Sequence, residues 1–379
     1  MKNVLETKTE DLLILKSEDE FIPGLELNRG FYNDAVKPLL EEFFPKLDYA
    51  AALIGPCSDV IGFDDYKSTD HCWGPRMQLF LREEDYERLH KEIDECLKNN
   101  LPFTYKGFPT NYKPVEGWFN NAYMQFTEEY PINHFLEIAT VNSFFSKDIA
   151  FDLKKEVSYK NWLAYPMHNL LELTSGEIFH DGIGELTEAR EKLRFFPEDV
   201  LLIHLHCLWN SISEEQAFIG RCHGQNDFIG ESIILNRIVN KIMKMLFYYE
   251  KKYYSYSKWF GVAFNNLKIA DKVNPIIKEI LFNQSYMVRE KSLIELYKIV
   301  VEMHNELGIT EEVTAKIVDY YDRGYRGFDS DVMVEKIGAK IDWTKIADYD
   351  ALSKVVLYDD SNCGVSFKSN LRICEHSIK

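Results

Sequence analysis

The stretch CSDVIGFDDYKSTDHCW, residues 57–73, decides how the first half of this chain is expected to fold. It follows YAAALIG (49–55), an apolar run that stops at Gly55-Pro56 and predicts a buried strand. It precedes RMQLFL (76–81), which predicts a second strand. The turn-forming and acidic residues between the two runs therefore belong to a strand–turn–strand unit.

The residue types in this stretch are those that metal-dependent nucleotidyl transfer requires. That chemistry uses carboxylates to hold one or two Mg²⁺ ions, which prefer oxygen ligands. Carboxylates at i and i+2 of a strand point to one face, and a third can come from a neighbouring strand. A tight turn with a serine lets backbone N–H groups approach the phosphates. Asp70 begins such a pair, but Cys72 holds the second position, and a thiol is a poor Mg²⁺ ligand.

Other segments of the first half predict alternating helices and strands. Residues 25–45 form an amphipathic pattern that Pro38 should kink or split, and residues 84–101 predict a solvent-facing helix. HFLEIATV (134–141) predicts a third strand, whereas 101–131 is rich in Pro, Gly and Asn and predicts a long loop or irregular insertion. A helix is expected at 160–173, followed by a short strand and turn in GEIFHDG.

The second half of the chain has a helical pattern. Residues 197–221, 231–254 and 287–308 are long helix-period runs, and the last of them ends on Gly308, a common residue just past a helix. The sequence therefore predicts an α/β domain followed by an all-α domain. The expected divisions are a polar leader (1–20), the α/β domain (21–182), the helical domain (183–340) and an unassigned C-terminal segment (341–379).

Composition limits the classes of partner and the location. The formal net charge of −17 disfavours long nucleic acids, whose phosphates are bound by Lys and Arg. Seven cysteines without a CxxC pair favour a reducing compartment. No apolar signal core and no run of roughly 18 apolar residues is present, so a cytoplasmic protein without membrane partners is expected.

The stretch LIGPCSDVIGFDDYKSTDHCWGPRMQLFL (53–81) resembles the nucleotidyltransferase superfamily pattern of Gly-Ser, three residues, Gly, a variable stretch, then Ser-Asp-x-Asp. From about 21 to 330 the chain also resembles an uncharacterised bacterial family built on that fold. The motifs that carry this likeness are FIPGLELNRGFYNDAVKPLLEEFFP, STDHCWGPR, LTSGEIFHDGIGELTEAREKL, EEQAFIGR and YSKWFGVAF. The resemblance implies an α/β (α+β) nucleotidyltransferase-like core with a mixed sheet, followed by a helical domain.

The resemblance also implies roles for individual residues. Ser58 and Gly62 match the phosphate-binding turn, and Asp70 matches the first metal carboxylate. Glu137, in the predicted third strand, is the candidate for the last carboxylate. Cys72 stands where the second Asp is expected. The metal and catalytic assignments are therefore Asp70 and Glu137.

Two basic residues are candidates for neutralising the triphosphate, each with a structural alternative. Lys258 lies in the helical half, where its alternative is a solvated lysine at a helix end; for Arg76 the alternative is an ion pair. Cys57 departs from the pattern as well, because it replaces the glycine of the turn. The two cysteines imply either impaired catalysis or a substitute carboxylate, for which Asp59, Asp64 and Asp65 are the nearest.

The resemblance implies a protein that binds ATP or another nucleoside triphosphate with Mg²⁺. If active, it would transfer a nucleoside monophosphate to an acceptor, either a small molecule or a protein. One alternative is a catalytically degenerate fold that serves as a nucleotide-binding or regulatory module. Another is a helical interaction protein without a nucleotide role, which the absence of a mixed sheet near Asp70 would favour. The acceptor, the base and the oligomeric state stay open.

Overall fold

The computed structural model describes residues 21–69, 72–114, 122–320, 323–358 and 366–379. Its residues separate into two compact units. The first comprises the described residues of Met1–Glu156 and Asn169–Arg194, and the second those of Val157–His168 and Phe195–Lys379. The units reflect contacts within the chain and do not by themselves fix domain boundaries, so the predicted boundary near residue 183 stays a prediction. The predicted leader, 1–20, lies outside the described residues.

A four-stranded mixed sheet forms the centre of the first unit. The strands of this unit are β1 (Ala50–Leu53), β2 (Arg76–Phe80), β3 (Thr104–Tyr105), β4 (Phe108–Pro109), β5 (Tyr112–Pro114), β6 (Ala122–Met124), β7 (Phe135–Ala139) and β8 (Glu177–Asp181). The sheet has the order β7-β2-β1-β8; β1 is antiparallel to β2 and β8, and β2 is parallel to β7. The strands predicted at 49–55, 76–81 and 134–141 are therefore confirmed.

The described part of segment 101–131, which was predicted to be a long loop or irregular insertion, contains short paired strands. Strands β3 and β4 pair in an antiparallel hairpin, and β5 pairs with β6. Lys106 and Gly107 both have positive φ, at 47° and 88°. Two consecutive residues with positive φ make the kind of tight turn whose twist suits a two-residue hairpin.

Helices pack against the sheet, the first three of them on one face. The helices of this part of the chain are α1 (Gly24–Phe31), α2 (Lys37–Phe43), α3 (Glu83–Asn100), α4 (Val141–Phe145), α5 (Tyr159–Ala164), α6 (Met167–Thr174) and α7 (Glu185–Lys192). A π-helical turn, Tyr32–Val36, separates α1 from α2 just before Pro38, as the predicted kink requires. Met77 and Leu79 of β2 share a hydrophobic core with Leu40 of α2 and Leu97 of α3.

Strand alternation places a polar set on the other face. Arg76 and Gln78 alternate with Met77 and Leu79 along β2, and Glu137 pairs with Gln78 in the parallel ladder. Arg76 and Gln78 are nevertheless buried. The predicted helix at 160–173 is divided into α5 and α6 by Pro166, which cannot continue the hydrogen-bonding pattern of a helix.

The second unit is mainly helical. Its further helices are α8 (Glu198–Gly224), α9 (Phe228–Tyr249), α10 (Ser257–Phe264), α11 (Ala270–Phe282), α12 (Tyr286–Leu307), α13 (Asp331–Gly338), α14 (Tyr349–Leu357) and α15 (Phe367–Ser377). It also holds a hairpin, β9 (Ile317–Asp319) with β10 (Arg326–Phe328), so the all-α prediction is wrong in this detail. The unassigned residues 341–379 contribute α14 and α15. Among the helices described, none is long and apolar enough to cross a membrane.

Candidate functional site

The turn after β1 contains the two residues predicted to cradle phosphate. The Ser58 carbonyl accepts a hydrogen bond from the Phe63 N–H at 2.9 Å, and the Gly62 N–H donates to the Asp59 carbonyl at 3.2 Å. Gly62 has φ 75°, and no atom lies within 4 Å of the position that a Cβ would take. Glycine is therefore favoured at this position by backbone conformation, and the space beside it is open.

A buried ion pair ties this turn to β2. The Arg76 guanidinium lies 2.7 Å from Asp59 Oδ1 and 3.4 Å from the Pro56 carbonyl, and the two charged residues are 5% and 1% exposed. Burial is the largest influence and lowers the pKa of Arg76, but the charge and hydrogen bond of Asp59, together with Cys57 and Cys72, raise the pKa above its ordinary value. The structure thus shows Arg76 in an ion pair, which is the structural alternative named for it from the sequence. Contact between Arg76 and a nucleotide stays a prediction.

Cys57 and Cys72 lie beside this ion pair. Interaction with Cys72 is the largest cause that raises the pKa of the Cys57 thiol, and burial is the next. Both residues have positive φ, 109° at Cys57 and 51° at Cys72, which is uncommon for residues other than glycine. Since β2 begins at Arg76, Cys72 precedes the sheet, and the expectation that the acidic motif runs along a strand is wrong at this residue.

The substitute carboxylates named from the sequence already have structural partners. Asp59 is paired with Arg76, as described above. Asp64 Oδ2 accepts from the Gly24 N–H at 2.7 Å and from the Trp73 indole at 3.1 Å. Asp65 caps the 3₁₀ turn Tyr66–Ser68 by accepting from backbone N–H groups. None of these three contacts involves Asp70, which lies outside the described residues together with His71.

Glu137 lies in β7, directly beside β2. Its partner in the ladder, Gln78, accepts a hydrogen bond from the Ile54 N–H at 3.0 Å, so both side chains belong to the polar face of the sheet. The Glu137 carboxylate forms an ion pair with Lys147, and its side chain is 38% exposed. A nucleotide-bound metal would have to compete with Lys147 for this carboxylate.

Two further carboxylates near Glu137 were missed from the sequence. The pKa of Asp148 is raised by desolvation, and next by the negative charges of Glu172 and Glu137. Glu172 is largely buried, and its carbonyl accepts the Gly55 N–H at 3.0 Å. The sequence gives little sign of these residues, because Asp148 follows a short helix and Glu172 belongs to an ordinary apolar helix. Asp148 is therefore close enough to Glu137 and Glu172 for their charges to act on it.

The carboxylates that the structure describes do not make a two-metal site. In the described ranges, no group of three His, Cys, Asp or Glu side chains is arranged to hold a metal ion. Cys72 supplies a soft thiol where a hard oxygen is needed. Mg²⁺ is commonly held by one or two carboxylates together with substrate phosphates and water, and its binding to this chain stays a prediction. Glu137 and Asp70 likewise stay the predicted ligands.

The second unit contributes one predicted site residue and a separate cavity. Lys258, near the start of α10, is exposed and lies over the Trp259 ring at 4.7 Å, which matches its structural alternative. A small cavity is lined by Gln216, Arg289 and Glu290 among others, and none of the predicted site residues lines it. Neither Lys258 nor this cavity changes the choice of candidate site residues in the first unit.

Comparison with known proteins identifies one part of the chain. A family model described as a domain of unknown function, DUF4037, matches residues 162–260. This match includes LTSGEIFHDGIGELTEAREKL and EEQAFIGR, and it confirms that the chain contains a domain of unknown function. STDHCWGPR lies outside the match, and the nucleotidyltransferase relationship and bacterial origin stay predictions. No curated protein and no solved structure matches the chain.

Proposed function

We propose that the first unit is a nucleotidyltransferase-like core that binds a nucleoside triphosphate with one Mg²⁺ at the start of β2. The observation that carries this proposal is the strand order β7-β2-β1 with its directions. Because β1 and β2 are antiparallel, the turn after β1 and the segment before β2 lie at one edge of the sheet. Because β7 is parallel to β2, it starts at that same edge.

The proposed roles of the individual residues follow from this arrangement. Asp70 and Glu137 would supply oxygen ligands to the metal, which neutralises the triphosphate when bound. The turn with Ser58 and Gly62 would present backbone N–H groups to phosphate oxygens. Arg76 would act by holding the turn against β2, since its guanidinium is engaged by Asp59. Lys258, in the second unit, stays a sequence-based candidate for neutralising the triphosphate.

The first test is calorimetric titration of ATP and of GTP, each with excess Mg²⁺. The wild-type chain is expected to bind at least one of them, and Asp70→Ala is expected to weaken that binding roughly tenfold or more, a loss of about 1.4 kcal/mol. The physical reason is the loss of an oxygen ligand for Mg²⁺ at the phosphates. Glu137→Gln is expected to act in the same direction.

A matched control is Glu87→Ala on α3. Glu87 is exposed on a helix whose buried side packs on the other face of the sheet, so the variant loses one negative charge away from the proposed site. Its affinity should equal that of wild type. Failure of the wild-type chain to bind either nucleotide would remove the proposal.

A second candidate, a binding module that has lost catalysis, is favoured by the position of Cys72. A thiol occupies the place of the second metal carboxylate, and its backbone lies outside β2. This candidate requires nucleotide binding without turnover. Release of pyrophosphate from ATP or GTP by the wild-type chain, with any acceptor, would exclude it. Pyrophosphate release that is absent in the wild-type chain but appears in Cys72→Asp would support this candidate. The substitution is compatible with the backbone, because φ 51° at Cys72 is a conformation that Asp tolerates.

A further inference from the structure

Apolar side chains are concentrated on the surface of the second unit, near two turns between helices. Of the thirteen large hydrophobic residues that are exposed in the described chain, six lie within residues 218–233 and 282–287. The other seven are distributed along the chain from Phe43 to Ile373. The six residues, here called the tip patch, are between 43% and 78% exposed: Phe218, Phe228, Ile229, Ile233, Phe282 and Met287.

The first part of the tip patch is built by α8 and α9. A short connection joins these helices, so they run antiparallel as a hairpin. Glu215 on α8 forms an ion pair with Arg237 on α9 at 3.1 Å, which fixes the register of the two helices. Phe218 and Ile233 each lie about one turn closer to the connection than this pair, so they are at the same level of the hairpin. Ile229 lies one further turn along the same side of α9 as Ile233.

Aromatic contacts join this hairpin to the turn between α11 and α12. His223, in the last turn of α8, stacks on Tyr286, the first residue of α12, with ring centroids 4.2 Å apart. The His223 ring also lies 6.0 Å from the Phe228 ring. Met287 follows Tyr286 directly, and Phe282 is the last residue of α11. The two turns are therefore neighbours, and the tip patch extends over both.

The size of the tip patch matches what a stable dimer buries. A fully exposed aromatic side chain offers about 150–250 Å², so the exposed fractions of the six residues leave roughly 600 Å² of apolar surface. A standard interface covers about 800 Å² on each partner, of which about 65% is apolar in homodimers. The tip patch can therefore supply the apolar surface of one complete half of such an interface.

Charged residues border the tip patch. The Arg221 guanidinium lies 5.7 Å from the centroid of the Phe218 ring, and Arg237 is held by Glu215. An apolar centre with charges at its margin is the usual composition of a protein interface. The formal net charge of −17 opposes approach to an anionic membrane surface. A two-fold dimer uses the same patch on both copies, so a second copy provides the matching apolar surface.

We infer that the tip patch is a homodimer interface, at which the α8–α9 hairpin of one copy packs against that of a second copy around a two-fold axis. Burial of the exposed apolar side chains drives this association. The interface belongs to the second unit and does not depend on the nucleotide binding proposed for the first.

Sedimentation velocity of the full-length chain over about 1–100 µM tests this inference, because interfaces of standard size bind with micromolar or higher affinity. Wild type is expected to reach twice the mass of one chain within this range. The double variant Ile229→Asp, Ile233→Asp should dimerise roughly a hundredfold more weakly or worse, since each copy would bury two unpaired carboxylates. Both positions are exposed, so its urea midpoint should stay close to that of wild type.

Val262→Asp is a matched control for Ile233→Asp. Both positions carry β-branched residues on helices of the second unit and are 45% and 51% exposed, but Val262 lies on α10, outside the tip patch. Val262→Asp should dimerise as wild type does, whereas Ile233→Asp alone should weaken the dimer roughly tenfold.

Wild type that stays monomeric at about 100 µM would overturn the inference, and so would dimerisation that the double variant leaves unchanged. Phosphatidylcholine vesicles test the other apolar occupant. Monomeric wild type that sediments with these vesicles, together with a double variant that does not, would assign the tip patch to a membrane surface and overturn the inference as well.

Discussion

Lowering the pH from about 7 to about 5 is expected to reduce the free energy of unfolding by roughly 4–6 kcal/mol, because three buried histidines must stay neutral in the folded second unit. Burial lowers the pKa of His204 to about 3, with a further contribution from Lys244, and lowers the pKa of His206 and His304 to about 4. The unfolded chain takes up these protons near pH 6.5, so stability is full above that pH and falls toward about pH 4.

Urea unfolding followed by circular dichroism at several pH values measures how the free energy of unfolding changes with pH. His204→Phe should remove about one third of the pH dependence, because one of three neutral histidines is lost. Phe also suits the stacking of His204 on Phe196, at 5.0 Å between ring centroids. His376→Gln, at an exposed position on α15, should leave the slope unchanged. A urea midpoint that is constant between about pH 7 and 5 would contradict the prediction that the buried neutral histidines make stability depend on pH.

Arg76→Met should destabilise the first unit by about 3–5 kcal/mol, since it leaves the Asp59 carboxylate buried without its cation. The side chains of this pair are 6% and 1% exposed. The double variant Asp59→Asn, Arg76→Met should be more stable than the single variant by about 1–2 kcal/mol, because no unpaired charge is then buried. Chemical denaturation compares the three chains.

Arg29→Met is the matched control for Arg76→Met. Arg29 pairs with Glu177 in the same unit, but the side chains are 51% and 30% exposed. Exposed pairs contribute at most about 1 kcal/mol, so this variant should remain close to wild type. Equal losses of unfolding free energy in Arg29→Met and Arg76→Met would contradict the prediction that burial of the ion pair determines the size of the loss.

The main elements of the fold could be predicted from local patterns, but three two-stranded antiparallel pairs, β3–β4, β5–β6 and β9–β10, could not. A continuous apolar run identifies β1, the segment RMQLFL identifies β2, and Pro38 identifies the break between α1 and α2. The β3–β4 turn uses Lys106-Gly107, which lacks the Asn or Asp usual before glycine, and its strands have two residues each. Strands that short carry no alternation that a sequence pattern could reveal.

The candidate site was less predictable than the fold, because it depends on partners far apart in the sequence. The spacing of Asp59 and Arg76 does not indicate that they form a buried ion pair. Nor does it place Lys147 against Glu137, or Arg76 near the two cysteines Cys57 and Cys72. The motif indicated which residues to consider, while tertiary packing decides which charges remain available to a ligand.

Hydrogen–deuterium exchange with and without Mg²⁺-ATP tests most directly whether nucleotide binds at this edge of the sheet. Peptides covering the turn 55–62, the segment entering β2 and strand β7 are expected to exchange more slowly with nucleotide present, and Asp70→Ala should lose this protection. Unchanged exchange in these peptides, with protection confined to the second unit, would contradict the proposed site.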